Sequence, residues 1–253
     1  MLLVVDIGNT QTHLGVYQSK DLVMSWRLTS RDTYTADELL IQLYDLISGE
    51  IDPSDVTHAA IASVVPRLSA EWVIAARKLC GCEPLLLSHE TAISLTYDYS
   101  FPGEIGADRI ADCVAAAELY GAPIVVVDFG TATNIEIINK DGAFEGGIIA
   151  PGLLTSANAL FSAAARLPRI EVETPPTVIG KSTKHAVQSG LSFGEIDRID
   201  GLVLRIFDEL GYTCPVIGTG GLSRRVLNLS KTITDVNDNL TLEGLRLIWE
   251  QST

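Results

Sequence analysis

Two short runs in this sequence of 253 residues set a carboxylate, a glycine and hydroxyls side by side at the end of an apolar stretch. The first is Asp6-Ile7-Gly8-Asn9-Thr10, continuing through Gln11, Thr12 and His13; the second is Asp128-Phe129-Gly130-Thr131. Glycine permits close backbone approach, so N–H groups and hydroxyls at such tips can surround a phosphate. The Asp beside each tip is placed to hold a cation that travels with the phosphate. Two such tips facing one another could grip one polyphosphate. A third run, Gly218-Thr219-Gly220-Gly221, is either an ordinary tight turn or a place where backbone lies close against a flat ligand such as adenine or ribose. Asp108 and Arg109 fall in the first turn of an expected helix, where an Asp also serves simply to oppose the helix dipole. Gly180-Lys181-Ser182 has the ending of a P-loop, but position 175 is Pro where that motif needs Gly, and as a P-loop it fails.

The elements that must carry these residues follow from periodicity. Leu2–Ile7 and His13–Tyr17 flank the first tip as a hairpin, and Ile124–Phe129 and the alternating run to Ile138 flank the second. Trp26–Thr29 continues the first sheet. Thr35 with Glu38 three residues on reads as a capping box for a helix through Leu39, Leu43 and Ile47. His58–Val65 is a buried strand, Pro66 opens a helix through Leu79, and Pro84–Leu87 is a short strand. Pro102, Gly103 and Gly106 make residues 99–106 a loop, and a helix runs from Ala107 to Gly121. Beyond the second hairpin come a strand over 145–152, a helix from Leu154 to Ala165 stopped by Arg166-Leu167-Pro168, and helices through Ala186–Phe193 and Ile196–Leu210. A short strand into the Gly218–Gly221 turn and a helix from Leu240 to Trp249 complete the chain. The two halves repeat one α/β unit. The reading is therefore two domains, 1–117 and 118–253, each a mixed sheet flanked by helices, with the site expected in the cleft between them.

Composition narrows the function. Hydrophobic residues make up 47% of the chain, ample for two cores of this size. Eighteen basic against 32 acidic residues give a net charge of −14, which argues against nucleic acid as a partner. Positive potential for an anionic small substrate must then be local, from helix N-termini, metal ions or a few Lys and Arg. Cys80-Gly81-Cys82, Cys113 and Cys214 make no zinc pattern. No stretch approaches the ~18 apolar residues of a membrane helix. With no basic residue ahead of Asp6, no secretory signal is expected either; the expectation is a cytoplasmic protein without a membrane partner.

Together, Asp6–Thr10, Asp128–Thr131 and Gly218–Gly221 resemble the phosphate 1, phosphate 2 and adenosine motifs of the acetate/sugar kinase–Hsp70–actin superfamily, whose domains are ribonuclease H-like. Within it the chain resembles the type III pantothenate kinases over nearly its whole length. Gly106–Arg109, Gly146–Leu153, Ala164–Pro168, Ile179–Thr183, Gln188–Gly190 and Leu240–Leu245 carry the resemblance. Each run is weak alone; in this order they are specific.

The resemblance implies ATP-dependent phosphorylation of pantothenate, the first step towards coenzyme A, by a homodimer using Mg2+ and a monovalent cation, K+ or ammonium. It places the ATP phosphates on Asp6, Ile7, Gly8, Asn9, Thr10, Gln11, Thr12 and His13, with Asp6 towards Mg2+. Thr131 is the second phosphate contact, Asp128 the monovalent-cation ligand, and Gly218, Gly220 and Gly221 belong to the nucleotide. Asp108 becomes the proton acceptor. Tyr99, Gly106, Ala107, Asp108, Arg109 and Thr183 become pantothenate contacts. Asn134, Asp112, Gly103 and residues 194–198 depart from the family's usual pattern. Another small-molecule kinase of the superfamily, or a non-catalytic regulatory protein on the same scaffold, are the competing readings.

Overall fold

The structure is a computed structural model describing residues 1–92, 94–164 and 167–252. In chain order its elements are β1 (Leu2–Ile7), β2 (Gln11–Gln18), β3 (Asp21–Thr29), α1 (Ala36–Ile47), β4 (His58–Ser63), α2 (Pro66–Cys80), β5 (Leu85–Leu86), β6 (Thr96–Tyr97) and α3 (Ala107–Tyr120). There follow β7 (Ile124–Phe129), β8 (Ala132–Ile138), β9 (Ala143–Pro151), α4 (Leu153–Ala163), α5 (Thr183–Leu210), β10 (Val216–Thr219), α6 (Ser223–Leu227), β11 (Asp235–Val236) and α7 (Leu240–Ser252). Ala165 and Arg166, where the sequence ends a helix, lie outside the described residues. No helix among the described residues is long and apolar enough to cross a membrane.

The chain packs as two compact units. One comprises residues 1–119, 142–144 and 239–253; the other comprises 120–141 and 145–238. The first contains a sheet ordered β3-β2-β1-β4-β5, with β1 antiparallel to β2 and parallel to β4. In the second, β9-β8-β7-β10-β11 repeats that order, with β7 antiparallel to β8 and parallel to β10. The expected duplication of one mixed α/β unit is thus visible strand by strand. Strand β6 pairs in parallel with Ala143 and Phe144, the two β9 residues that pack in the first unit.

Both sheets are organised by their central strand. Leu3, Val5 and Ile7 of β1 alternate onto a core with Leu39, Leu43 and Ile47 of α1 and Leu68, Trp72 and Ala76 of α2. The capping box opens α1 as its sequence specifies: Glu38 N–H donates to Thr35 Oγ1, and Thr35 N–H donates to Glu38 Oε2. In the second unit Val125, Val127 and Phe129 meet Ile196, Ile199, Val203 and Ile206 of α5.

Two findings differ from the sequence reading. First, the helices expected either side of Gly194 are one continuous 28-residue helix, α5. Buried Glu195 accepts a hydrogen bond from Thr133 Oγ1 at 2.6 Å and pairs with Arg198 at 2.5 Å, holding helical backbone across the glycine. Second, packing groups the residues differently from a single cut at 117/118. Helix α7, last in the chain, buries Leu240, Leu242, Leu245 and Ile248 within the first unit, and Leu242 lies against Gly15 of β2.

Candidate active site

In the first unit β1 delivers Asp6 to the end of a strand, half-buried, and the chain turns through Gly8–Thr10. Gly8 N–H donates to the Gln11 carbonyl at 3.0 Å, closing the turn. Asn9, Thr10 and Gln11 are exposed at its tip, whereas Ile7, Thr12 and His13 are buried behind it. Ser30 ties this tip down. Its hydroxyl donates to the Gly8 carbonyl at 2.7 Å and lies 2.9 Å from Thr12 Oγ1, and its N–H donates to the Thr10 carbonyl. Burial, and then the nearby charge of Arg27, push the His13 pKa down to about 4, so the imidazole is neutral at pH 7.

The carboxylate of Asp108 stands in the first turn of α3, and its Oδ1 accepts the Arg109 N–H at 2.8 Å. Desolvation raises its pKa above the ordinary value, opposed by the Arg109 N–H and the Arg109 charge. Gly106 leaves room for this group: a Cβ there would lie 2.4 Å from Asp108 Oδ1. The same position of that Cβ would be 3.4 Å from Val64, whose N–H donates to the Ile7 carbonyl. One residue therefore separates the start of α3 from the strand that carries Asp6. Arg109 is 9% exposed, and its guanidinium lies 5.5 Å from the centre of the Phe144 ring. Tyr99 meets the same ring edge-on at 5.4 Å.

In the second unit the Asp128 turn is built likewise. Gly130 N–H donates to the Ala132 carbonyl, while the Thr131 carbonyl accepts from Gly152 N–H at 3.1 Å and Thr155 Oγ1 at 2.6 Å. Thr131 itself is exposed. Strand pairing sets Asp128 opposite Thr219 on one side and Asn134 on the other. Gly220, at φ +85°, passes so close that a Cβ would lie 2.3 Å from Asp128 Oδ1 and 2.8 Å from the Phe129 backbone. Gly221 is exposed at this turn, but Gly218 is buried between Val236, Ile233 and Phe129, where it shapes the strand end. Thr183 opens α5 after the Ser182 cap and lines an open cleft of about 820 Å³ with Lys181, Leu160 and Leu191.

The donor chemistry suits hard cations. Among the described residues no cluster of three or more His, Cys, Asp or Glu forms a metal centre. Single carboxylates at the Asp6 and Asp128 turns fit cations that complete their shells with phosphate oxygens and water. The buried Asn134 Oδ1 lacks a hydrogen-bond partner opposite Asp128, an oxygen that a nearby cation would satisfy. Asp112, another of the positions that depart from the family's usual pattern, is buried and accepts the Thr241 hydroxyl of α7 at 2.7 Å.

The first unit thus brings Asp6–Gln11, Gly106–Arg109 and Tyr99 onto neighbouring elements, and the second brings together Asp128, Thr131 and Gly220. Ser30, Val64, Phe144 and Thr155 organise these groups and went unread as site residues, because each acts across long sequence separations. Gly152 was legible only as part of the Gly146–Leu153 run.

Comparison with known proteins adds relatives. A family model described as type III pantothenate kinase matches residues 2–205. Proteins named type III pantothenate kinase from Roseiflexus sp. (strain RS-1) and Desulfosudis oleivorans are 46% and 44% identical to the chain. The first alignment covers 100% of this chain and 99% of the relative, the second 98% of each. Among solved structures, the activator of the 2-hydroxyisocaproyl-CoA dehydratase from Clostridium difficile, with bound ADPNP, superposes with a TM-score of 0.55 at 12% identity, covering 99% of this chain and 95% of that one. The ethanolamine utilization protein EutJ from Carboxydothermus hydrogenoformans gives 0.53 at 17% identity, over 97% and 89%. These two are likenesses of fold.

Proposed function

The chain belongs to the type III pantothenate kinase family, an enzyme that phosphorylates pantothenate on the route to coenzyme A, and on that premise we propose which residues carry the transfer. ATP is the donor and the primary hydroxyl of pantothenate the acceptor, giving 4'-phosphopantothenate. Asp108 accepts the hydroxyl proton as the phosphoryl group moves. Its desolvated carboxylate, aimed by Gly106 and the Arg109 N–H and one residue from the strand bearing Asp6, is the observation that carries this assignment.

Arg109 binds the pantothenate carboxylate, for which a planar guanidinium is suited. Tyr99, Gly106, Ala107 and Thr183 form the remainder of the acceptor's contacts. Asn9, Thr10 and Gln11 face the ATP phosphates from the exposed tip, with Ile7, Gly8, Thr12 and His13 supporting it from behind. Thr131 holds phosphate oxygen in the second unit, and Gly220 and Gly221, shaped by Gly218, accommodate the nucleoside. Asp6 holds Mg2+, and Asp128 holds K+ or ammonium with Asn134 beside it. When bound, these cations supply the positive charge that an acidic chain otherwise lacks beside the transferring phosphoryl group.

The same reading makes the enzyme a cytoplasmic homodimer. Exposed Leu154, Val178 and Ile179 are of the kind a subunit contact covers.

A coupled ADP-release assay with pantothenate, run with and without K+ or ammonium, tests the whole. Within it, Asp108→Asn is expected to lower kcat by at least ~10²-fold with little change in the KM for ATP, as loss of a general base does. Near-normal turnover would remove Asp108 from the role.

A further inference from the structure

Phe144 touches the acceptor side of the site in three ways at once. Its carbonyl accepts the Asp98 N–H at 2.9 Å, and β6 pairs Tyr97 with it, so its backbone anchors the segment leading to Tyr99. The edge-to-face contact at 5.4 Å, with the ring planes at 82°, then fixes the Tyr99 ring. The face of the Phe144 ring takes the Arg109 guanidinium at 5.5 Å. Phe144 is itself fully buried, so it cannot be a contact of the bound acid, whereas Tyr99 is 39% exposed.

The geometry points to Phe144 as a positioning residue for the acidic substrate, holding Arg109 and Tyr99 in the places from which they bind it. The inference rests on the assignment of those two residues to pantothenate. An aromatic face attracts a guanidinium through its quadrupole and restricts where that long side chain can sit. An edge-on ring pair adds a directional contact beyond the area it buries. With both on one ring, the distance between the carboxylate-binding cation and the exposed tyrosine is set by a single side chain. The backbone hydrogen bond and the β6 pairing do not depend on that side chain, so replacing the ring separates its role from the anchoring of the segment.

Phe144→Leu keeps an apolar side chain of similar bulk and removes the ring. It is expected to raise the KM for pantothenate about tenfold, with the KM for ATP within about twofold of the wild type. A second substitution guards against a folding defect: pentafluorophenylalanine at 144 keeps the shape of the ring but reverses its quadrupole. It too should raise the pantothenate KM and spare the ATP KM, which a filler of space would not do. In an Arg109→Ala background, Phe144→Leu should add less than about twofold, since most of its effect passes through Arg109. The inference is overturned if the fluorinated ring leaves the pantothenate KM unchanged, or if both KM values rise together in either variant. If Arg109→Ala alone leaves the pantothenate KM unchanged, the substrate assignment itself fails and the inference with it.

Discussion

Asp108 and His13 are both held away from their ordinary protonation behaviour, in opposite senses. Desolvation raises the Asp108 pKa, so the folded state takes up its proton more readily than the unfolded chain does. Stability from this group is therefore present at low pH and lost as pH rises through its folded pKa, and the ionised carboxylate is a cost at neutral pH. Asp108→Asn should raise Tm at pH 7 while lowering kcat, a pairing characteristic of a functional group kept under strain and readable by calorimetry on the same sample. Buried His13 behaves in the reverse way. Its pKa falls from 6.5 to about 4, so the unfolded chain binds the extra proton first. Its contribution is complete above pH 6.5 and is lost as pH falls towards 4, amounting to about 2 kcal/mol between pH 6.5 and 5. Denaturation curves of wild type and His13→Gln at those two pH values check it: the variant should lose less stability on acidification. Residues of this kind were legible where chemistry is local. The Asp6 and Asp128 turns declared themselves within a few positions, but Ser30 and Phe144 could not, because their partners lie far along the chain and no local pattern marks them.

At the scale of elements, strand periodicity and caps located most of the fold. The misreading at Gly194 arose because glycine's weak helix propensity is a local signal, whereas the Thr133–Glu195 hydrogen bond that overrides it is not. Two-residue strands such as β6 and β11 have no periodicity to read at all. Helical glycines also differ by context in a measurable way. A Cβ on Gly244 of α7 would lie 2.0 Å from the Ala111 carbonyl oxygen of α3, whereas one on Gly201 of α5 would meet nothing within 4 Å. Gly244→Ala should therefore destabilise by about 1–3 kcal/mol through overpacking. Gly201→Ala should stabilise by up to about 1 kcal/mol through helix propensity. Chemical denaturation of the two variants, run side by side, would reveal opposite signs; equal signs would mean that α7 does not seat on α3 through Gly244.

For the whole molecule, duplication was readable because each half opens with the same acidic turn, and the sheets follow one strand order. The destination of α7 was not, since nothing in an amphipathic helix names the sheet it covers. A chain ending at Asp238 is expected to lose amide-exchange protection in β1, β2 and β4 while keeping it in β7, β8 and β10. Uniform loss, or none, would contradict the grouping of α7 with the first unit. The intact chain faces the same situation during its synthesis. While the last helix still lies within the ribosome, the amino-terminal half lacks the piece that seals its sheet, and residues 120–238 can close first. On this grouping the usual order of maturation, first made and first finished, is expected to reverse. The opening stretch of the newborn polypeptide is expected to stay open to chaperones and proteases until α7 emerges to cover it.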